Sequence, residues 1–188
     1  MRGTNHAQQG PEHEVEIMTA VGPISLAKQY LRNTIAGTAT FQTATGTASE
    51  AAALAHVYDE EIPAKDGDYS AAELINLRPF AIVESLNENS FKMVRTSRGV
   101  GSNFRDSGSL AIYYEANVDD ELSFNENKLA FINTIGALIL DISDLAGQSG
   151  YLDINNLELK QFGFCHEDDI PKQGDHMMAM MMIDWGVS

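Results

Sequence analysis

The chain has 188 residues, 44% of them hydrophobic, with 27 acidic against 12 basic side chains and a formal net charge of −15. That length suits one domain with an appendage, and that hydrophobic content supplies a core without covalent staples. The single Cys165 excludes an intrachain disulfide and a multi-cysteine zinc site, and a pI near 4.5 excludes a protein that grips nucleic acid through its overall field.

Residues 1–20 are polar and unpatterned and form an expected N-terminal arm. Glu12, Glu14 and Glu16 with no apolar run argue against a signal peptide. Residues 21–188 form one expected domain. A first helix starts at Pro23 and carries Ile24, Ala27, Leu31 and Ile35 at helical spacing as far as Gly37. Thr38–Gly46, rich in Thr and Gly, reads as a loop anchored by Phe41. Thr47-Ala48-Ser49-Glu50 has the spacing of a capping box and opens an Ala-rich helix running towards Tyr58. Ser70–Asn76 suits a short helical turn.

From Arg78 the pattern changes to strands, at Pro79–Leu86 and Phe91–Ser97, and Arg98–Ser109 reads as a Gly/Ser loop. Leu110, Ile112, Tyr114, Ala116 and Val118 then alternate with Ala111, Tyr113, Glu115 and Asn117, the clearest period of two in the chain. A second capping box, Ser123-Phe124-Asn125-Glu126, opens a long helix that Gly147 closes. Tyr151–Phe162 and His176–Trp185 supply two further strands. The expected fold class is α/β (α+β): N-terminal helices, then a mixed or antiparallel sheet of about five strands packed against one long helix, in β-β-β-α-β-β order.

The long helix has two apolar stripes. Phe124, Phe131, Ile135, Leu138, Ile142 and Leu145 share one narrow face that packs on the sheet. Leu129, Ile132, Ile139 and Leu140 lie round from it, with Gly136 among them to allow close approach. This second group needs another partner, either the N-terminal helices or a neighbouring subunit. Met177 to Met182 with Ile183 has no polar face, so the last strand is expected to be covered on both sides. Met178, Met180 and Met182 join the second helix stripe as candidate oligomer-interface residues, because Met adapts to irregular surfaces. The apolar stretches fall short of the roughly 18 residues of a membrane span, so no membrane partner is expected.

Chemistry-bearing motifs are sparse. The chain contains no phosphate-binding G-x-x-x-x-G-K-[ST] loop and no His-Glu-x-x-His, and Gly99-Val100-Gly101 lacks the rest of a dinucleotide fingerprint. His166-Glu167-Asp168-Asp169 with Asp175 and His176 could be drawn as a metal site but suits a solvated hairpin tip better. Asp119-Asp120-Glu121 stands where a helix dipole favours acids. No catalytic residue, metal or cofactor is therefore assigned, and the chain is not expected to be an enzyme. Arg78, Lys92, Arg95, Arg98 and Arg105 cluster around the hairpin and its loop; either they balance the acidic remainder, or Arg95, Arg98 and Arg105 form a docking loop for an acidic surface. Residues 106–188 hold 15 of the acids and only Lys128, Lys160 and Lys172 as bases.

The run Phe41-Gln42-Thr43-Ala44-Thr45-Gly46-Thr47-Ala48-Ser49-Glu50-Ala51-Ala52, followed by Tyr58, Pro63 and Leu77-Arg78-Pro79-Phe80-Ala81-Ile82-Val83, resembles proteins of the head–tail modules of tailed bacteriophages. The later layout is similar to tail terminator proteins of long-tailed phages. Gly108-Ser109-Leu110-Ala111-Ile112 precedes one long helix, Gly147-Gln148-Ser149-Gly150-Tyr151-Leu152 follows it, and a hydrophobic strand comes last. The resemblance spans roughly Pro23 to Gly186 and is one of pattern; the acidic arm and the Met run depart from it. It implies a non-enzymatic structural virion protein, a subunit of a usually hexameric ring that caps the tail tube, joins it to the neck and passes double-stranded DNA through its lumen. The implied partners are further copies of the chain, the tail tube protein and the head–tail connector. The implied location is the virion, after assembly in the host cytoplasm. The alternatives are a head-completion or connector protein (stopper or adaptor) of the neck, a small acidic enzyme, and a monomeric binding domain.

Overall fold

The computed structural model describes residues 23–62, 70–86, 92–97, 102–146, 152–165 and 175–187. Residues 1–20, Arg98 and the acidic loop from His166 lie outside them. Helix α1 (Pro23–Gly37) buries Ala27, Leu31 and Ile35 on one stripe. Thr38 then ends one helix and caps the next. Its hydroxyl accepts from the Phe41 amide at 3.2 Å, and α2 (Ala39–Thr45) runs to Gly46 in the left-handed region at φ 64°. The expected loop is therefore a helix. A capping hydroxyl and a C-terminal glycine outweigh the low propensity of its threonines once Phe41 is buried.

The next cap is Ser49 rather than Thr47, and α3 (Glu50–Leu54) is shorter than the alanine run suggested. The chain leaves it to form a strand that its composition concealed, β1 (Val57–Asp59). Arg32 holds β1 against α1 by donating to the Val57 carbonyl at 2.8 and 3.1 Å. Lys28 adds ion pairs to Asp59 and Glu60. Burial works against the Lys28 charge, but the hydrogen bonds and carboxylates beside it prevail and raise its pKa. Helix α4 (Ala71–Leu77) has a complete capping box between Ser70 and Glu73.

Among the described residues the sheet has six strands. Five follow the order β1-β2-β4-β6-β5, where β2 is Phe80–Ser85, β4 is Ser102–Asn117, β5 is Leu152–Cys165 and β6 is His176–Val187; β3 (Lys92–Ser97) pairs with β4 beyond the end of β2. Strand β1 is parallel to β2 and every other pairing is antiparallel. The fold is thus α+β. The expected Gly/Ser loop is corrected in part, because its residues 102–109 belong to β4. Glycine and serine disguised the strand there, but β3 up to Ser107 and β6 from Ser107 onward supply their backbone groups with partners.

Helix α5 (Phe124–Ala146) crosses one face of the sheet. At its start the Ser123 amide donates to the Glu126 carboxylate at 2.8 Å. Phe131, Ile135, Leu138 and Ile142 are buried against Ala81, Val83, Leu110, Ile112, Tyr114, Ala179, Met181, Ile183 and Trp185. At about 1.5–3 kcal/mol each, the four helix side chains contribute roughly 6–12 kcal/mol gross. Phe124, expected on this stripe, is instead 54% exposed, because the first turn of α5 overhangs the edge strand β5 and leaves Phe124 edge-on to Phe164 at 5.4 Å.

Tyr114 lies at the middle of the core, with ring centroids 6.3 Å from Phe41 and 5.8 Å from Phe131. Burial pushes its phenol up to about 12. A folded-state pKa raised above the unfolded value of about 10 gives stability that is complete below pH 10 and lost as pH climbs through 12. Alkaline titration followed by circular dichroism should therefore show the Tyr114→Phe variant outlasting the native chain between pH 10 and 12.

Candidate functional site

Apart from the exposed Leu122, Phe124, Phe162 and Phe164, two apolar surfaces lie at least partly open among the described residues. The first is the outer side of α5, where Leu129 is 61% and Leu140 67% exposed. Gly136 is exposed between them, while Ile132 and Ile139 are half-buried, Ile139 against the core. The sequence left the partner of this stripe open between the N-terminal helices and a neighbour. Helix α2 packs on the other flank of α5, where Thr40 donates to Asp141 through its amide at 3.1 Å and its hydroxyl at 2.7 Å. The described N-terminal helices thus leave Leu129 and Leu140 bare.

A Cβ at Gly136 would meet nothing within 4 Å, so no described part of the chain requires the glycine. Gly136→Ala should accordingly raise the unfolding free energy by about 0.5–1 kcal/mol, measured by denaturant titration, through helix propensity alone.

The second surface is the sheet face opposite α5. Strand alternation sends Met177, Ala179, Met181, Ile183 and Trp185 into the core and leaves Met178, Met180 and Met182 half-buried on the open face. The expected cover of the Met strand on both sides is met in part among the described residues: Phe80 and Ala111 on this second face are buried, while the three methionines stay half-buried. Register arranges this face in cross-strand rows. Glu84, Ala111, Met182 and Glu158 form one row; Ile82, Tyr113, Met180 and Gln161 form the next; Phe80, Glu115, Met178 and Gly163 form the third. A methionine seam thus runs down the centre with carboxylates on both sides.

Several acids on this face hydrogen-bond neutral groups. Ser109 donates to Asp184 at 2.6 Å, and the Tyr113 phenol bonds Glu84. Burial, then the Glu84 charge and hydrogen bond, raise the Tyr113 pKa. Glu158 instead pairs with Lys160 of its own strand, and the other exception is Glu115. Arg78 Nε donates to it at 3.1 Å and His176 Nε2 stands 3.9 Å away. Arg78 is therefore a buried counter-charge, not part of a docking patch.

The basic positions named from sequence are placed by the hairpin. Arg95 pairs in register with Phe104 and Arg105 with Val94. Strand β4 pairs with β6 only from Ser107 onward, so Ser102–Asp106 extends past the rest of the sheet with β3 as its described neighbour. Sequence reasoning missed this arm. Its signal was present in the run 92–105, which holds Lys92, Arg95, Arg98 and Arg105 and no acid.

Catalytic features are not assembled at the described concavities. A groove of about 450 Å³ between α2 and α5 is lined by Ala39, Thr40, Thr43, Ala44, Asn133, Thr134 and Ala137, with no titratable group. A smaller one of about 250 Å³ includes Asp119 and Asn127, but Asn127 is occupied in the turn before α5, exchanging hydrogen bonds of 2.9 Å with the Asp119 backbone. No group of three or more His, Cys, Asp or Glu poised for a metal occurs among the described residues. By length and hydropathy α5 could cross a membrane, contrary to the estimate from uninterrupted runs. Its inner face is committed to the sheet.

No family model matches the chain, and no curated protein is significantly similar to it.

Proposed function

We propose that this protein is a structural subunit of a tailed-bacteriophage virion, a tail-terminator-like ring protein at the head–tail interface. The carrying observation is the pair of uncovered apolar faces, with Leu129 and Leu140 on α5 and the methionine seam on the sheet. A single chain leaves such surface in water; a closed ring of copies removes it through head-to-tail contacts. The −15 charge suits the second half of that role, because an acidic lumen lets a DNA duplex pass without adhering. The resemblance drawn from sequence, with its hairpin, long helix and two closing strands, supports the same reading.

In this reading the protein acts by shape. A closed ring on the last turn of a tail tube blocks further tube subunits and offers its opposite side to the neck. The test is light scattering and negative-stain imaging of the purified chain, followed by incubation with tail tubes and with head-side connectors. Closed rings that bind tube ends support the proposal. Rings that bind only the connector move the protein to the head-completion side, and a monomer at high concentration overturns the reading.

A further inference from the structure

Strand β5 ends the sheet order, so among the described residues its outer edge leaves alternate backbone groups without a strand partner. Its two register shifts fall between Ile154 and Asn156 and between Leu159 and Gln161. Such bulges blunt an edge against further strands, but the stretch Gln161–Cys165 pairs with β6 without one. Phe162 and Phe164 stand in register with Ala179 and Met177, which face the core, so both rings lie on the α5 side of the sheet. They remain 41% and 42% exposed there, beside the exposed Leu122 and Phe124. Lys128 Nζ stands 5.6 Å from the Phe162 centroid, so this aromatic shelf already takes one cation from its own chain. A Cβ at Gly163, between the two phenylalanines, would meet nothing within 4 Å. No described part of the chain needs that glycine, and glycine inside a strand suits the close approach of another backbone.

We infer that a basic, extended segment of a different protein adds as a strand to the β5 edge at Gln161–Cys165. Its alternate apolar side chains lie on the aromatic shelf, and its Lys or Arg side chains meet Asp120 and Glu121. Charge selects this occupant. The run 119–126 carries Asp119, Asp120, Glu121 and Glu126 and no base. Asp119 accepts from the Glu121 amide at 2.9 Å and Glu126 from the Ser123 amide at 2.8 Å, which engages two of the four carboxylates within the turn. The exposed carboxylates of Asp120 and Glu121 have no partner among the described residues. The chain's own loop 166–174 follows directly from β5, but it brings Glu167, Asp168 and Asp169 against Lys172, the same sign as the rim. A second copy offers no free base among the described side chains. Lys28 pairs with Asp59 and Glu60, Arg32 with the Val57 carbonyl, Arg78 with Glu115 and Lys160 with Glu158, and Lys128 lies over Phe162. In strand addition, main-chain hydrogen bonds supply affinity and the alternate side chains supply specificity, here apolar on one side and cationic at the rim.

The inference stands apart from the ring-subunit reading, because the shelf shares no residue with the outer stripe of α5 or the methionine seam. The test uses the full-length chain and two variants, F162S/F164S and D120N/E121Q, with circular dichroism to verify folding; F164S alone replaces the first where it fails to fold. The probes are a short peptide of alternating arginine and valine, its glutamate–valine counterpart, and an oligo-arginine of equal charge. Fluorescence anisotropy should find the arginine–valine peptide bound by the native chain, weakened about 10-fold or more in each variant, and the glutamate–valine peptide unbound. Hydrogen exchange at the amides of Gln161–Cys165 should slow only when the arginine–valine peptide is present. Absence of binding overturns the inference. Equal binding by native chain and F162S/F164S, or equal binding of oligo-arginine, also overturns it, since both report diffuse attraction to an acidic chain. Slow exchange at these amides in the chain alone gives the edge to its own loop or to another copy, and weaker self-association of F162S/F164S gives the shelf to a second copy; either result overturns the inference and leaves the ring reading standing. A monomeric native chain that binds the peptide as expected overturns the ring reading alone.

Discussion

Trp185→Ala should lower the unfolding free energy by about 3–5 kcal/mol and the melting temperature by roughly 10 °C or more. Trp185 is the largest fully buried side chain, 1% exposed, and stands in register between Gly108 on β4 and Ile154 on β5. Glycine opposite on β4 contributes no side chain, so across the strands only Ile154 on β5 can move towards the space that the indole leaves. Thermal melting against a Trp185→Phe control checks this. The indole N–H has no hydrogen-bond partner among the described residues despite burial, so the control loses ring area but also an unsatisfied donor, and its cost stays near 1 kcal/mol. Equal losses in the two variants would show that the site repacks and that Trp185 is not a keystone of the core.

Leu140→Asp should have the opposite profile, with unchanged stability and lost assembly. At 67% exposure Leu140 contributes little to the monomer core, so its replacement should shift the unfolding free energy by no more than about 0.5 kcal/mol. Within a ring contact the same carboxylate is desolvated among apolar groups, and association should weaken by a factor on the order of 100 or more. Sedimentation and denaturant titration of one sample read both quantities. Full assembly of the variant would remove the α5 outer stripe from the interface and leave the sheet face to account for any ring. The contrast between Leu140→Asp and Gly136→Ala is informative as well. Alanine at 136 helps the monomer, and it harms assembly only if a neighbour approaches that turn closely.

Much of the local structure could be read directly from residues. The stripe Phe131, Ile135, Leu138 and Ile142, the alternation from Leu110 to Val118 and the Ser123–Glu126 box each encode their element within a few neighbours. Three errors share a cause, since in each a longer-range contact outweighed local composition. Thr38–Gly46 is helical because Phe41 is buried and Thr38 caps it. Val57–Asp59 is a strand because β2 lies beside it. Residues 102–109 extend because β3 and then β6 bind them.

The functional surfaces divide in the same way. Charge, the Met run and the second stripe of α5 are properties of the sequence, and they sufficed to mark this as a chain with more apolar surface than one face can use. Only the tertiary structure decided which methionines stay outside, that α2 covers the opposite flank of α5 from Leu129 and Leu140, and that the basic run lies on a strand pair projecting beyond the sheet. Alternation and helical period specify which residues share a face, since they follow from the geometry of one element. Which face is left open depends on strand order and on where the covering helices stop, and both are settled by contacts between residues far apart in the chain.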